Sequence, residues 1–233
     1  MSEPTSAEAL EARIAELAQQ LAASQAEVSD LRAQLDQRNR ALGLLHESLT
    51  IQSTVDPLTG LFNRREFRNR MMAEWGRYKR HKRPLSLLLF DLDRFKLINE
   101  QHGKECGDTV LQAVGAIFRA KQRRHDVDCR YGGEEFAILL PETSLDQAFL
   151  VATQLKRRIE ETRYPYKEAE IRVTVSVGIA NAPELHPQSD EDLIQLAEAG
   201  KTRAKTEGYG CIIAIDPLDP KQIYRRQDPP SAG

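Results

Sequence analysis

Asp128-Cys129-Arg130-Tyr131-Gly132-Gly133-Glu134-Glu135-Phe136-Ala137-Ile138-Leu139-Leu140 reads as a β-hairpin, two short strand-forming runs around a glycine pair and two acids. An antiparallel pair here decides the fold, because everything around it alternates helix and strand. Upstream, the short and continuously apolar run from Leu85 to Phe90 has the character of a buried strand and ends in Asp91-Leu92-Asp93. Val110, Leu111, Val114, Ile117 and Phe118 share one helix face, as do Leu145, Ala148, Phe149, Ala152, Leu155 and Ile159. Ile171, Val173, Val175, Val177 and Ile179 alternate with other residues, which predicts one strand with one buried face. Leu193, Ile194, Leu196 and Ala197 start a last helix, and residues 211–215 form a last strand. Interleaved helices and strands with one inserted hairpin predict an α/β domain: a mixed central β-sheet flanked by helices, ferredoxin-like or palm-type.

That domain is expected over residues 54–215. Before it, residues 5–50 carry no proline and repeat every seven residues. Ile14, Leu21, Val28, Leu35, Leu42 and Leu49 fall at a; Leu10, Leu17, Ser24, Leu31, Arg38 and Leu45 fall at d. Ten of these twelve are apolar, so the expectation is a long coiled-coil helix, a dimerisation and regulatory stalk of two parallel strands. The competing explanation is an amphipathic helix packed on its own domain, and a strict run this long disfavours it. After the domain, residues 216–233 hold Pro217, Pro220, Pro229 and Pro230 and are expected to form a flexible tail.

Composition narrows the function classes. The 233 residues carry 33 Lys+Arg against 35 Asp+Glu, a formal net charge of −2, which argues against a globally basic nucleic-acid binder. No apolar stretch approaches the roughly 18 residues of a membrane span. Three scattered cysteines, Cys106, Cys129 and Cys211, lack metal-site spacing, so a cytoplasmic protein with reduced thiols is expected. Nine Lys or Arg within residues 64–83 read as a solvated helix face rather than a nucleic-acid site. Gly200-Lys201-Thr202 lacks the upstream glycine of a P-loop, and Asp91-x-Asp93 lacks the rest of an EF-hand.

Asp91 and Asp93 stand where a buried strand runs out, and Glu134 and Glu135 stand at the hairpin tip. If the hairpin lies beside the first strand, these carboxylates converge, and hard oxygen donors select Mg²⁺ or Mn²⁺ bridging to substrate phosphates. Solvated turn acids would give the same residue types, and the types alone leave both readings open.

Arg130-Tyr131-Gly132-Gly133-Glu134-Glu135-Phe136, with Asp56-Pro57-Leu58-Thr59-Gly60-Leu61-Phe62-Asn63-Arg64, Phe90-Asp91-Leu92-Asp93-Arg94-Phe95-Lys96-Leu97-Ile98-Asn99 and Gly107-Asp108, resembles the GGDEF family of diguanylate cyclases in its GGEEF form. With its stalk, the whole chain is similar to the SiaD type within that family. The resemblance implies condensation of two GTP into cyclic di-GMP and two pyrophosphates, with two Mg²⁺ (or Mn²⁺) ions per active site. It assigns the metal ions to Asp91, the Leu92 carbonyl, Glu134 and Glu135, and catalysis to Glu134 and Glu135, with Glu134 as the base for the attacking 3′-hydroxyl. Asn99 and Asp108 would read guanine, Gly132 and Gly133 would let GTP lie along the hairpin, and Lys205 would contact phosphate. Arg123 and Asp126 match the RxxD of a product-inhibition site. The implied partners are GTP, cyclic di-GMP, a second copy through the stalk, and a regulatory protein on the stalk; neither nucleic acid nor membrane is expected.

Some positions depart from the family pattern: Glu100 for Asp, Lys104 for His, Tyr209 for a phosphate-binding Arg, and Lys201-Thr202 for Leu-Tyr. The departures touch the triphosphate contacts of the last helix and spare the metal and guanine positions. A catalytically dead GGDEF domain that senses nucleotide, a scaffold working through its coiled coil and a cyclase using ATP are the competing readings. Retention of Asp91, Glu134, Asn99 and Asp108 disfavours the first two, and the guanine readers disfavour the third.

Overall fold

The computed structural model describes residues 13, 17, 19–21, 24–25, 27–40, 54–120, 123, 125–216 and 223–225. Residues up to Ser53 and from Thr54 onward form two separate units. In the first, every described residue is helical, including all of 27–40 (α1). Leu17, Leu21, Val28, Leu31 and Leu35, at the expected a and d positions, are all exposed on the single chain. The ends of the expected 5–50 stalk lie outside the described residues.

The second unit runs β1 (Phe62–Asn63), α2 (Arg64–His81), β2 (Leu85–Leu92), α3 (Phe95–His102), α4 (Lys104–Arg119), β3 (Val127–Gly132), β4 (Glu135–Pro141), α5 (Leu145–Glu161), β5 (Tyr164–Tyr166), β6 (Ala169–Ile171), β7 (Val175–Ala182), α6 (Asp190–Thr206), β8 (Ile212–Ile215) and β9 (Ile223–Arg225). Seven strands form one sheet in the order β1-β3-β4-β2-β7-β8-β9, and β5 and β6 form a small separate ribbon. β4, β2 and β7 pair antiparallel, while β1 with β3 and β7 with β8 are parallel, so the sheet is mixed as expected. Within the tail expected to be flexible, β9 pairs antiparallel with β8, a correction at residues 223–225: Ile223 lies opposite Ile215 and extends the sheet edge.

Helices begin where side chains replace the missing backbone partners. The Asn63 side chain accepts from the Glu66 N–H at the start of α2, and Ser144 and Gln147 form a reciprocal capping box on α5. Ser189 caps α6 by accepting from the Asp192 N–H.

Both sheet faces are covered. α4 and α5 pack Val110, Val114, Phe118, Ala148, Ala152 and Leu155 on one face; α2 and α6 pack Phe67, Met71, Trp75, Leu193, Ile194 and Ala197 on the other. This double cover corrects the reading of 171–179 as one half-buried strand. Ile171 ends the small ribbon opposite Tyr164, and β7 is buried along its whole length. The residues between Val175, Val177 and Ile179 are small rather than solvated: Ser176, Gly178 and Ala180 lie on the α6 side, where a helix backbone needs the room.

Candidate active site

Strand parity places the acids. Along β2, Leu85, Leu87 and Leu89 join the core beneath α2 and α6, whereas Leu88, Phe90 and Leu92 join the opposite core. Asp91 therefore falls on the α6 side. On β4, Ala137 and Leu139 face α6 as well, so Glu135 does too, and Asp91 and Glu135 stand directly opposite each other across the strand pair.

α6 lies very close to the sheet above them. A Cβ on Gly178 would come within 1.9 Å of the Ala197 carbonyl oxygen and 2.3 Å of the Lys201 nitrogen, so only glycine allows this approach. Two lysines one turn apart then reach the two acids. Lys205 Nζ donates to Asp91 Oδ2 at 2.6 Å. Lys201 Nζ donates to Glu135 Oε1 and pairs with Glu198 Oε2 at 2.7 Å. Burial pushes the Asp91 carboxyl above its ordinary pKa, and the Lys205 hydrogen bond only partly offsets it. Burial pulls the other way on Lys201, yet hydrogen bonds to Glu135 and Glu198 win and its ammonium is held above its ordinary value.

Asp93 does different work from Asp91. Its carboxylate accepts from Thr174 Oγ1 and Ser176 Oγ, both at 2.7 Å, and from the Gly210 N–H at 3.1 Å. It thus ties the end of β2 to the turn after α6, where the Arg94 guanidinium lies 5.3 Å from the Tyr209 ring centre. Strand geometry ends at Leu92, and the Asp93 carboxylate is engaged by Thr174, Ser176 and the Gly210 N–H.

The hairpin tip is braced from outside. Arg130 donates to the Gly133 carbonyl at 2.9 and 3.0 Å and pairs with Asp56 at 3.2 Å, while Asp56 accepts from the Thr59 N–H and hydroxyl. The Leu92 N–H donates to the Glu134 carbonyl at 3.3 Å, which fixes the turn carrying Gly132, Gly133 and half-buried Glu134 against the end of β2.

Asn99 and Asp108 come from α3 and α4. A Cβ at Gly107 would sit 1.9 Å from Asn99 Oδ1, so that oxygen lies over the residue preceding Asp108. Asn99 Oδ1 is buried and has no hydrogen-bond partner among the described residues. An orphaned buried acceptor suits a ligand edge that bears an N–H donor.

Asp91, Glu135, Glu134 and the Leu92 carbonyl are all hard oxygen donors and fit Mg²⁺ or Mn²⁺ in kind. Among the described residues no three His, Cys, Asp or Glu side chains converge on one point, so a metal here would rely on phosphate and water for part of its shell.

Arg123 and Asp126 lie elsewhere, on a cavity of about 940 Å³ whose walls include Arg70, Arg77 and Arg83. Asp126 Oδ2 accepts from the Arg123 N–H at 3.3 Å, and burial raises its pKa. The three additional arginines and the Lys201–Glu135 contact were not legible as site residues. The arginines lay within the basic run over 64–83, and nothing local marks which of its members face a cavity. No helix among the described residues is long and apolar enough to cross a membrane.

The chain is 32% identical over 171 residues to the response regulator PleD of Caulobacter vibrioides, covering 72% of this chain and 37% of that protein. It is 33% identical over 166 residues to a diguanylate cyclase of Vibrio cholerae, covering 68% of this chain and 51% of the relative. The chain thus spans about a third to a half of these relatives. Among solved structures, the diguanylate cyclase SiaD of Pseudomonas aeruginosa, in complex with its activator SiaC, superimposes with a TM-score of 0.64 at 28% identity, over 85% of this chain and 76% of that one. Residues 53–211 match the family described as diguanylate cyclase, GGDEF domain, a span that takes in the acid pair, the hairpin, Asn99 and Asp108 alike, and the chain belongs to that family.

Proposed function

We propose that this protein is a diguanylate cyclase that condenses two GTP into cyclic di-GMP and two pyrophosphates. The observation that carries the reading is Asn99 Oδ1, a buried acceptor with no hydrogen-bond partner among the described residues, which lies over Gly107, the residue before Asp108. Guanine presents neighbouring N1–H and N2–H donors on one edge, whereas adenine offers an acceptor there, so two oxygens select GTP over ATP. From that pocket the triphosphate runs toward the end of β2, where Lys205 exchanges Asp91 for phosphate. Asp91, Glu134, Glu135 and the Leu92 carbonyl would hold two Mg²⁺ (or Mn²⁺) ions, which when bound neutralise the triphosphate and acidify the 3′-hydroxyl. Glu134, in the turn that Arg130 holds, takes the hydroxyl proton as attack on the α-phosphate begins. Gly132 and Gly133 keep the hairpin clear of side chains along the nucleotide.

One domain holds one GTP, so two domains must meet face to face. The exposed a and d residues of α1 support a parallel coiled-coil homodimer that raises the effective concentration of the second half-site. The likeness to SiaD, solved with its activator, supports the SiaD type and a regulatory protein on the stalk. Removal of residues 1–50 is expected to reduce turnover strongly at low protein concentration, and unchanged turnover would refute the role of the stalk. The arginine-lined cavity around Arg123 and Asp126 supports a product-inhibition site, since guanidinium groups suit both phosphate and guanine edges.

The test is incubation of the purified protein with GTP and Mg²⁺, chromatography of the nucleotides, and Glu134→Gln in parallel. Cyclic di-GMP from the wild type alone is expected. GTP binding without product in either would replace the cyclase by a nucleotide sensor.

A further inference from the structure

Lys201 sits where a charge is costly. Its residue is 5% exposed, and lysine is among the residues least often buried without a partner. Its ammonium lies between Glu135 on β4 and Glu198 one turn earlier on α6. The helix that carries it cannot shift to relieve the contact. Besides the Gly178 approach, a Cβ on Gly200 would come within 2.5 Å of the Ile213 carbonyl oxygen, so backbone packs on backbone along this side of α6.

The two lysines differ in freedom. The Lys205 side chain is 37% exposed and reaches Asp91 from the solvent edge. The Lys201 side chain is 7% exposed, against 32% for Glu135, so the carboxylate is the partner with room to move. Lys205 can exchange Asp91 for an incoming phosphate, while Lys201 has no solvated position to retreat to. As long as Lys201 stays charged, the rotamer of Glu135 that meets it satisfies both groups.

We propose that Lys201 is a positioning residue, a resident counter-ion that holds Glu135 against α6 and withholds it from divalent metal in the nucleotide-free protein. The inference rests on the metal reading above. It makes metal binding depend on the nucleotide: without triphosphate oxygens, a cation competes for Asp91 with Lys205, which can retreat to solvent, and for Glu135 with Lys201, which cannot. Removal of that ammonium frees one hard ligand and makes the cluster one unit more negative, and both changes favour a dication.

The experiment is titration of the full-length protein with Mn²⁺ alone, in the absence of nucleotide, reading free Mn²⁺ by electron paramagnetic resonance. Lys201→Leu is expected to bind Mn²⁺ about tenfold more tightly than wild type, the effect of one unit charge acting on a dication across a side-chain length in a water-like medium. Glu198→Gln leaves Lys201 to Glu135 alone and is expected to weaken binding about twofold. Asp91→Asn tests the underlying reading and should remove the site. Affinity in Lys201→Leu no greater than in wild type, while Asp91→Asn still abolishes binding, overturns the role of Lys201 and leaves the metal site standing. Undiminished binding in Asp91→Asn overturns both. Should circular dichroism show that Lys201→Leu does not fold, Glu198→Gln decides: unchanged or tighter binding there overturns the inference.

Discussion

Asn99→Ala separates a residue kept for the ligand from one kept for the fold. A buried oxygen that accepts nothing costs about 1–3 kcal/mol. Asn99 Oδ1 bears that cost in the nucleotide-free protein. Alanine removes the orphan together with the amide's packing over Gly107 and beside Phe95, and a void of that size costs about 1 kcal/mol. The two effects oppose each other, so stability should stay within about 1 kcal/mol of wild type, a shift in Tm of about 2–4 °C. Binding has no such compensation. A guanine N–H that fills the orphan recovers about 1–3 kcal/mol, and its loss should weaken GTP by about 5- to 150-fold. The assay is isothermal titration of GTP in a Glu134→Gln background, where no turnover intervenes, beside thermal melts of the same proteins. Inosine triphosphate, which lacks the 2-amino group, should lose less than GTP if the oxygen meets that group. A fall in stability of about 3 kcal/mol or more with unchanged GTP affinity would refute the assignment and make Asn99 a packing residue.

Other expectations follow from the same geometry. Arg130→Ala removes the brace between Asp56 and the Gly133 carbonyl and should cost about 2 kcal/mol in urea unfolding, since the bonds involve a charged group at a partly exposed site. Arg123→Ala should raise the product concentration needed for half-inhibition by about tenfold in an initial-rate titration with cyclic di-GMP, leaving the uninhibited rate intact. Asp91→Asn should abolish turnover and yet raise Tm near neutral pH. Burial raises the Asp91 pKa, so the folded protein holds this proton more tightly than the unfolded chain, and wild-type stability falls as pH rises from the ordinary carboxylate value through the raised one. The gain from asparagine should therefore vanish in acid, below the ordinary carboxylate pKa, and a gain that persists there would contradict the cause given.

The alternation of Leu85, Leu87, Leu89 and Asp91, read with Glu135, Ala137 and Leu139, holds nearly all the information that puts the acids on one face, because strand parity is strict. The hairpin was equally legible, since a glycine pair between two apolar runs has few other conformations. The stretch Ile171–Ile179 misled because small residues and polar residues alternate with valine in the same way, and only the helix overhead tells them apart. Lys201 was legible as a departure and illegible as a site residue. Sequence shows that it lies four residues before Lys205, but the reach to Glu135 depends on how closely α6 lies on β7, which Gly178 sets from a distant part of the chain.

Two carboxylates directly opposite each other across an antiparallel pair repel, and a domain that places Asp91 and Glu135 so must compensate before any nucleotide arrives. The α6 lysines do this one for one, with Lys205 on Asp91 and Lys201 on Glu135. The site is therefore charge-balanced at those four groups in the free protein, and the fold does not depend on a cation to bring β2 and β4 together. Exchange at such a site is ion for ion. On the proposed function, a triphosphate that took Lys205 would release Asp91 to a dication carried with the nucleotide, so that neither carboxylate nor ammonium would be left buried alone. The repulsion between the like charges is offset during folding by the same helix that, on the proposed function, would receive the phosphate, and the close packing of α6 on β7 would then serve the chemistry as much as the core.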